Sequence, residues 1–149
     1  MIQATRHTGI VVRNLEKNLR FWRDVMGLKV VSDFREEGEF IDTVQRLKGV
    51  KLRMIKLSAP DGSMIELLYD EAHRSPAPLR NRPCDRGIRH IAFTVSDVKE
   101  AWRTLQNAGC KLLSKPITSP DRKAQLFFVR DPEGNLLEVV QALKARKSK

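Results

Sequence analysis

Two histidines and two glutamates stand at matched places in this sequence, and theirs are the side chains that could do chemistry. His7 opens "HTGIVVRN" and His90 opens "HIAFTVSD"; in each case a polar residue, Asn14 or Asp97, stands seven positions further on. Glu66 and Glu138 each stand six residues after a proline, that of "PDG" at 60–62 or of "PEG" at 132–134. A lone strand histidine is most often a hydrogen-bonded structural residue, and a lone strand glutamate usually faces solvent. Recurrence of both in both halves argues for a shared site. Two imidazoles and two carboxylates form a mixed nitrogen and oxygen set suited to a divalent transition metal such as Ni, Zn, Fe, Co or Mn, with water or substrate completing the sphere. A metal on a carbonyl oxygen stabilises the enediolate formed when the neighbouring carbon loses a proton. A carboxylate beside it can take that proton and return it, so Glu66 and Glu138 are the candidate bases.

The elements that must position these residues form one unit written twice. Each polar residue opens a helix: Asn14 caps the segment carrying Leu15, Leu19, Trp22 and Met26, which Gly27 stops. Asp97 with Glu100 makes a capping-box pattern ahead of Val98, Ala101, Trp102 and Leu105, and Gly109 stops that helix. Strand-like runs follow, "LKVVSDF" and "KLRMIKLS" in the first half, "CKLLS" and "AQLFFVR" in the second. Each half closes with its proline and glycine turn and a last strand, "SMIELLY" or "NLLEVVQ". The expectation is therefore an α+β fold of two tandem βαβββ modules, a curved and cupped mixed β-sheet with flanking helices. Strand alternation puts His7 on a face with Gly9 and Val11, and His90 with Ala92 and Thr94, opposite the apolar sets Ile10 and Val12 or Ile91, Phe93 and Val95. Small neighbours leave space on the histidine face. Glu66 and Glu138 likewise point opposite strongly apolar neighbours, and a carboxylate turned into a core unpaired would be very costly.

The reading divides the chain as one domain over 1–149, with module one at about 4–70, a linker at about 71–87, module two at about 88–142 and a basic tail at 143–149. The stretch "REEGEFIDTVQRLKG" has no counterpart in the second half; Phe40, Val44 and Leu47 at near-helical spacing predict a short helix covering an open end of the sheet. The linker, with Pro76, Pro78 and Pro83, has no periodicity, and His73 within it is expected to be a solvated loop residue.

Composition narrows the function classes. No apolar run approaches the roughly 20 residues of a membrane span, and "MIQATRH" lacks the apolar core of a signal peptide, so a cytoplasmic protein with no membrane partner is expected. Cys84 and Cys110 have no CxxC spacing and read as free thiols. The net charge of +10 is scattered apart from the tail, and the aromatics (Phe 6, Trp 2, Tyr 1) are too few for a stacking surface, so a basic face attracting small anionic ligands is expected and nucleic acid is not.

The tandem units, with "HTGIVVRNLEKNLRFWRDVMGLKVV", "IELLY", "HIAFTVSDVKEAW" and "DPEGNLLEV", resemble the vicinal oxygen chelate superfamily, which includes glyoxalase I, methylmalonyl-CoA epimerase, extradiol dioxygenases, fosfomycin-resistance transferases and bleomycin-binding proteins. The resemblance covers nearly the whole chain. It implies that His7, Glu66, His90 and Glu138 are the ligands of one divalent ion per site (Ni, Zn, Co, Mn or Fe) and that the protein is a homodimer acting on a small anionic or thioester-type substrate. Bacterial glyoxalase I uses two histidines and two glutamates, as here, so the implied activity is a metal-dependent lyase or isomerase of that type, with Glu138 and Glu66 the catalytic carboxylates. The epimerase usually has glutamine where this chain has Glu66, dioxygenases and fosfomycin transferases need one glutamate only, and bleomycin-binding relatives generally lack the set. The usual "YGHIAI" and "GG" glutathione-loop patterns are missing, and "GVKLRMIKL" with "GIRHIAF" looks closer to the epimerase. An epimerase-like isomerase, an extradiol Fe(II) dioxygenase and a non-catalytic antibiotic-binding protein are the alternatives. Arg13, Arg53, Arg89 and Arg130 are candidate contacts to an anionic substrate, with ordinary surface roles the simpler reading.

Overall fold

Strand β1 (Thr8–Val11) buries Ile10 and leaves Val11 exposed, the alternation its sequence predicts. It pairs in parallel with β4 (Met64–Asp70), and the intervening helix and strands supply the long crossover that parallel pairing requires. These coordinates, a computed structural model, describe residues 1–74, 76 and 82–143; the basic tail from 144 on, and part of the linker, lie outside the described residues. The chain divides into two units, Met1–Ala77 and Pro78–Lys149, each α+β with an open mixed sheet.

In the first unit Asn14 caps helix α1 (Leu15–Leu19), its side chain accepting the Lys17 N–H at 2.9 Å. The helix continues into π-helical turns over Arg20–Val25, and Gly27, at φ 77°, takes the left-handed conformation that ends it. Leu15, Leu19 and Trp22 form the expected buried stripe, joined by Phe21. Strands β2 (Lys29–Glu37) and β3 (Lys51–Ser58) complete the sheet in the order β1-β4-β3-β2. Ile55, Leu57, Ile65 and Leu67 are fully or nearly buried, each contributing about 1.5–3 kcal/mol relative to exposure.

Helix α2 (Glu39–Gln45) is present where the sequence predicts a short helix, but its buried residue is Ile41, packed with Val50 and Leu52. Phe40 and Val44, expected to face the sheet, are 67% and 63% exposed, and Leu47 is also exposed. The return turn decides this. The Asp42 carboxylate accepts the N–H groups of Gly49 (2.8 Å) and Val50 (2.9 Å), and Arg46 adopts the left-handed conformation, so the chain folds back under the Ile41 side.

In the second unit β5 (His90–Thr94) pairs in parallel with β9 (Leu136–Ala142). Asp97 caps α3 (Val98–Asn107), accepting from the N–H of Lys99 at 2.8 Å and of Glu100 at 3.0 Å. The strand expected at "CKLLS" is shortened to β6 (Lys111–Leu112), and a further short strand beyond it, β7 (Ile117–Thr118), was not expected; both pair with β8 (Ala124–Arg130). Pro116 lies in the gap; it has no N–H to give to the ladder. The sheet order is β5-β9-β8-β6; Phe127, Val129, Leu137 and Val139 are buried on the sheet, and Val98 and Leu105 are buried on α3.

Candidate metal centre

The central strand of each sheet carries its glutamate between two neighbours at fixed register. In the first unit Glu66 lies opposite Gly9 of β1 and Lys56 of β3. Glycine at this position keeps the surface low beside the carboxylate; a Cβ there would come within 3.3 Å of Leu68. In the second unit Glu138 lies opposite Ala92 of β5 and Phe128 of β8. The histidine stands two residues ahead of the small residue in both, at His7 and His90.

Each unit brings its own histidine and glutamate together. His7 Nε2 is 3.0 Å from Glu66 Oε2, and these side chains are 26% and 8% exposed. His90 Nε2 is 3.3 Å from Glu138 Oε2, in a more open setting at 44% and 20%. Glu66 is thus a buried carboxylate that escapes the cost of isolation through its partners, His7 on one oxygen and Lys56 Nζ at 3.5 Å on the other. Glu138 has the imidazole alone among the described residues, and the Phe128 ring meets the His90 ring edge to face at 5.5 Å.

Among the described residues no three His, Cys, Asp or Glu side chains form a group that could hold a metal ion; the donors stand as two pairs, one in each unit. Each pair nonetheless fits the chemistry of a cation. Two donors about 2.1 Å from one ion and at right angles to each other lie about 3.0 Å apart, close to both observed separations. His7 Nδ1 is buried without a hydrogen bond, so the polar contacts of this ring run through Nε2.

The remaining candidates fall elsewhere. Arg53 forks onto Asp33 (2.9 and 2.7 Å), one strand position out of phase with Lys56 and therefore on the opposite face of β3. Arg130 donates to the carbonyl of Gly134 in the closing turn. His73 lies in a bend after β4 with its side chain 38% exposed, and its Nδ1 is 2.8 Å from Asp70 Oδ2, whose carboxylate also accepts the N–H groups of Ala72 and His73. Lys56 and Phe128 were not singled out by sequence reasoning. The signal lay in the hairpins: Lys56 and Glu66 are each five residues from Asp61, and Phe128 and Glu138 five from Glu133.

Comparison with known proteins agrees with this architecture. The sequence model of the Glyoxalase/Bleomycin resistance protein/Dioxygenase superfamily matches residues 5–139, and the chain belongs to that family. A crystal structure of a glyoxalase family protein from Bacillus cereus superposes with a TM-score of 0.87 at 25% identity, covering 97% of each chain. An uncharacterised Bacillus subtilis protein, YwbC, is 23% identical across 95% of this chain and 99% of its own length. The lactoylglutathione lyase of Schizosaccharomyces pombe is 29% identical over 90% of this chain, which spans 46% of that enzyme; a probable lactoylglutathione lyase of Vibrio cholerae is 25% identical over 93% of this chain and 91% of its own.

Proposed function

We propose that the protein is a divalent-metal-dependent lyase or isomerase of the glyoxalase I type, with His7, Glu66, His90 and Glu138 as the metal ligands and Glu138 as the principal base. The observation that carries this reading is the repeated pair: an imidazole nitrogen 3.0 or 3.3 Å from a carboxylate oxygen, at the same register in both units. Relatives named lactoylglutathione lyase or probable lactoylglutathione lyase, at 25–29% identity, support the reaction class. The active form is taken to be a cytoplasmic homodimer; a monomer mass at every concentration in sedimentation would rule the dimer out.

A divalent ion held by these residues would supply positive charge beside the substrate carbonyl oxygen. His7 and His90 would hold the ion through Nε2. Glu138, with Oε1 free of any partner among the described residues, takes the proton from the carbon next to the carbonyl and returns it to the product carbon. Glu66, held on both oxygens, remains a ligand. The basic surface draws in an anionic substrate.

Metal analysis of the purified protein, loaded in turn with Ni, Co, Zn, Mn and Fe(II), tests the ligand set: about one ion per site is expected, and His90→Ala loses it. Equal metal content in wild type and His90→Ala rejects the four-ligand reading. The substrate is decided by a panel of the methylglyoxal and glutathione hemithioacetal, methylmalonyl-CoA and a catechol. Turnover of the hemithioacetal is the expected result, and turnover of the catechol alone, with oxygen uptake, overturns the lyase reading.

A further inference from the structure

The two units agree at the histidine, the small residue and the glutamate, and disagree at one register position. Opposite Glu66 the neighbouring strand offers Lys56; opposite Glu138 it offers Phe128. Lys56 is a constrained cation. Its side chain is 21% exposed, its ammonium lies 5.5 Å from the centre of the Phe34 ring, and it reaches Glu66 Oε1 at 3.5 Å while His7 faces Oε2. The two oxygens of Glu66 are therefore divided between different partners. Glu138 has no such second partner among the described residues.

We infer that Lys56 is a positioning residue for Glu66: by holding Oε1 it confines the carboxylate to a one-oxygen donor through Oε2. This rests on the reading of Glu66 as a metal ligand and gives the two carboxylates different work for a physical reason. The ammonium facing Oε1 opposes both rotation to chelate through two oxygens and a swing away to collect a proton. The carboxylate flanked by an aromatic ring keeps both freedoms. Groups that orient a ligand from behind in this way typically govern about 10- to 100-fold in metal affinity.

The test uses the full chain, stripped of metal and titrated with Zn(II) against a chromophoric chelator. Lys56→Met keeps the length of the side chain and removes its charge; it is expected to weaken Zn(II) about 10- to 100-fold, whereas Lys56→Arg, which keeps a positive charge facing Oε1, stays near wild type. The same Lys56→Met change made in a Glu66→Gln background should have little further effect, because the interaction is already gone. Lys56→Gln serves if the methionine variant fails to fold by circular dichroism. Unchanged or tighter Zn(II) binding on loss of the lysine overturns the inference, as does an equal loss in the Glu66→Gln background. Those outcomes leave the ligand reading intact, whereas a wild-type protein that binds no Zn(II) removes that reading and this inference with it.

Discussion

Glu66 and Glu138 occupy equivalent strand positions in different surroundings, and that difference sets what their replacement should do. Glutamine keeps the shape and one oxygen donor while removing the basic carboxylate. Glu138→Gln is expected to retain most of its metal and lose about 10²- to 10⁴-fold in turnover. Glu66→Gln should act more on metal affinity than on the rate of fully loaded protein, because this carboxylate is held by His7 and Lys56. Metal content and kcat measured on the same samples separate the two effects. Full activity in both variants would show that neither carboxylate is the base.

Among the elements, α3 and α2 owe their place to different forces. The Asp97 carboxylate bonds two N–H groups at the start of α3, and those bonds, the Glu100 N–H first, hold it below the usual carboxylate range. Asp97→Ala removes the cap and is expected to cost about 1 kcal/mol in urea unfolding. Helix α2 is only seven residues long and is anchored by Ile41. Ile41→Ala should therefore cost about 2–5 kcal/mol, while Phe40→Ser, on the exposed side, should stay within about 0.5 kcal/mol of wild type. The reverse order in chemical denaturation would mean that α2 packs through its other face.

For the whole molecule, acid is the expected denaturant. Hydrogen bonds hold Asp33, Asp42, Asp61, Asp97 and Asp121 below their ordinary values, donated chiefly by Arg53, Gly49, Ser63, Glu100 and Ser119 respectively. Each depressed carboxylate contributes stability that is present above its unfolded pKa and is lost as pH falls through the folded one. Asp131 has the opposite sign: burial raises it, against the N–H groups of Asn135 and Glu133. Folding takes up a proton there, so its contribution falls as pH rises through the carboxylate range. The depressed groups, with Asp24, Asp70 and Asp85 likewise lowered, outweigh the one raised group, and a chain of net charge +10 gains further self-repulsion in acid. Thermal melts followed by circular dichroism should show Tm falling from neutral pH toward about pH 3; a flat profile would show that these bonds persist in the unfolded chain.

Alternation and caps were legible without coordinates. The faces of β1, β4, β5 and β9, the helices opened by Asn14 and Asp97, and the hairpins at residues 60–62 and 132–134 follow from local periodicity and turn chemistry. These depend on neighbours within a strand, a helical turn or one hairpin, which a sequence specifies by spacing. The meeting of His7 with Glu66 and of His90 with Glu138 inside separate units does not follow from spacing, because each pair joins the first and last strands of its unit. Other features were decided by the course the chain takes in space between elements rather than by spacing within them. The buried face of α2 was set by Asp42 reaching the Gly49 and Val50 amides, the contact of His73 by the aspartate that ends β4, and the second unit's outer edge by two short strands, β6 and β7, that pair separately with β8. The inequality of the two glutamates belongs to the same class. Lys56 and Phe128 are ordinary members of strand-like runs until the hairpin register sets each against a carboxylate, where an ammonium holds an oxygen and an aromatic ring does not.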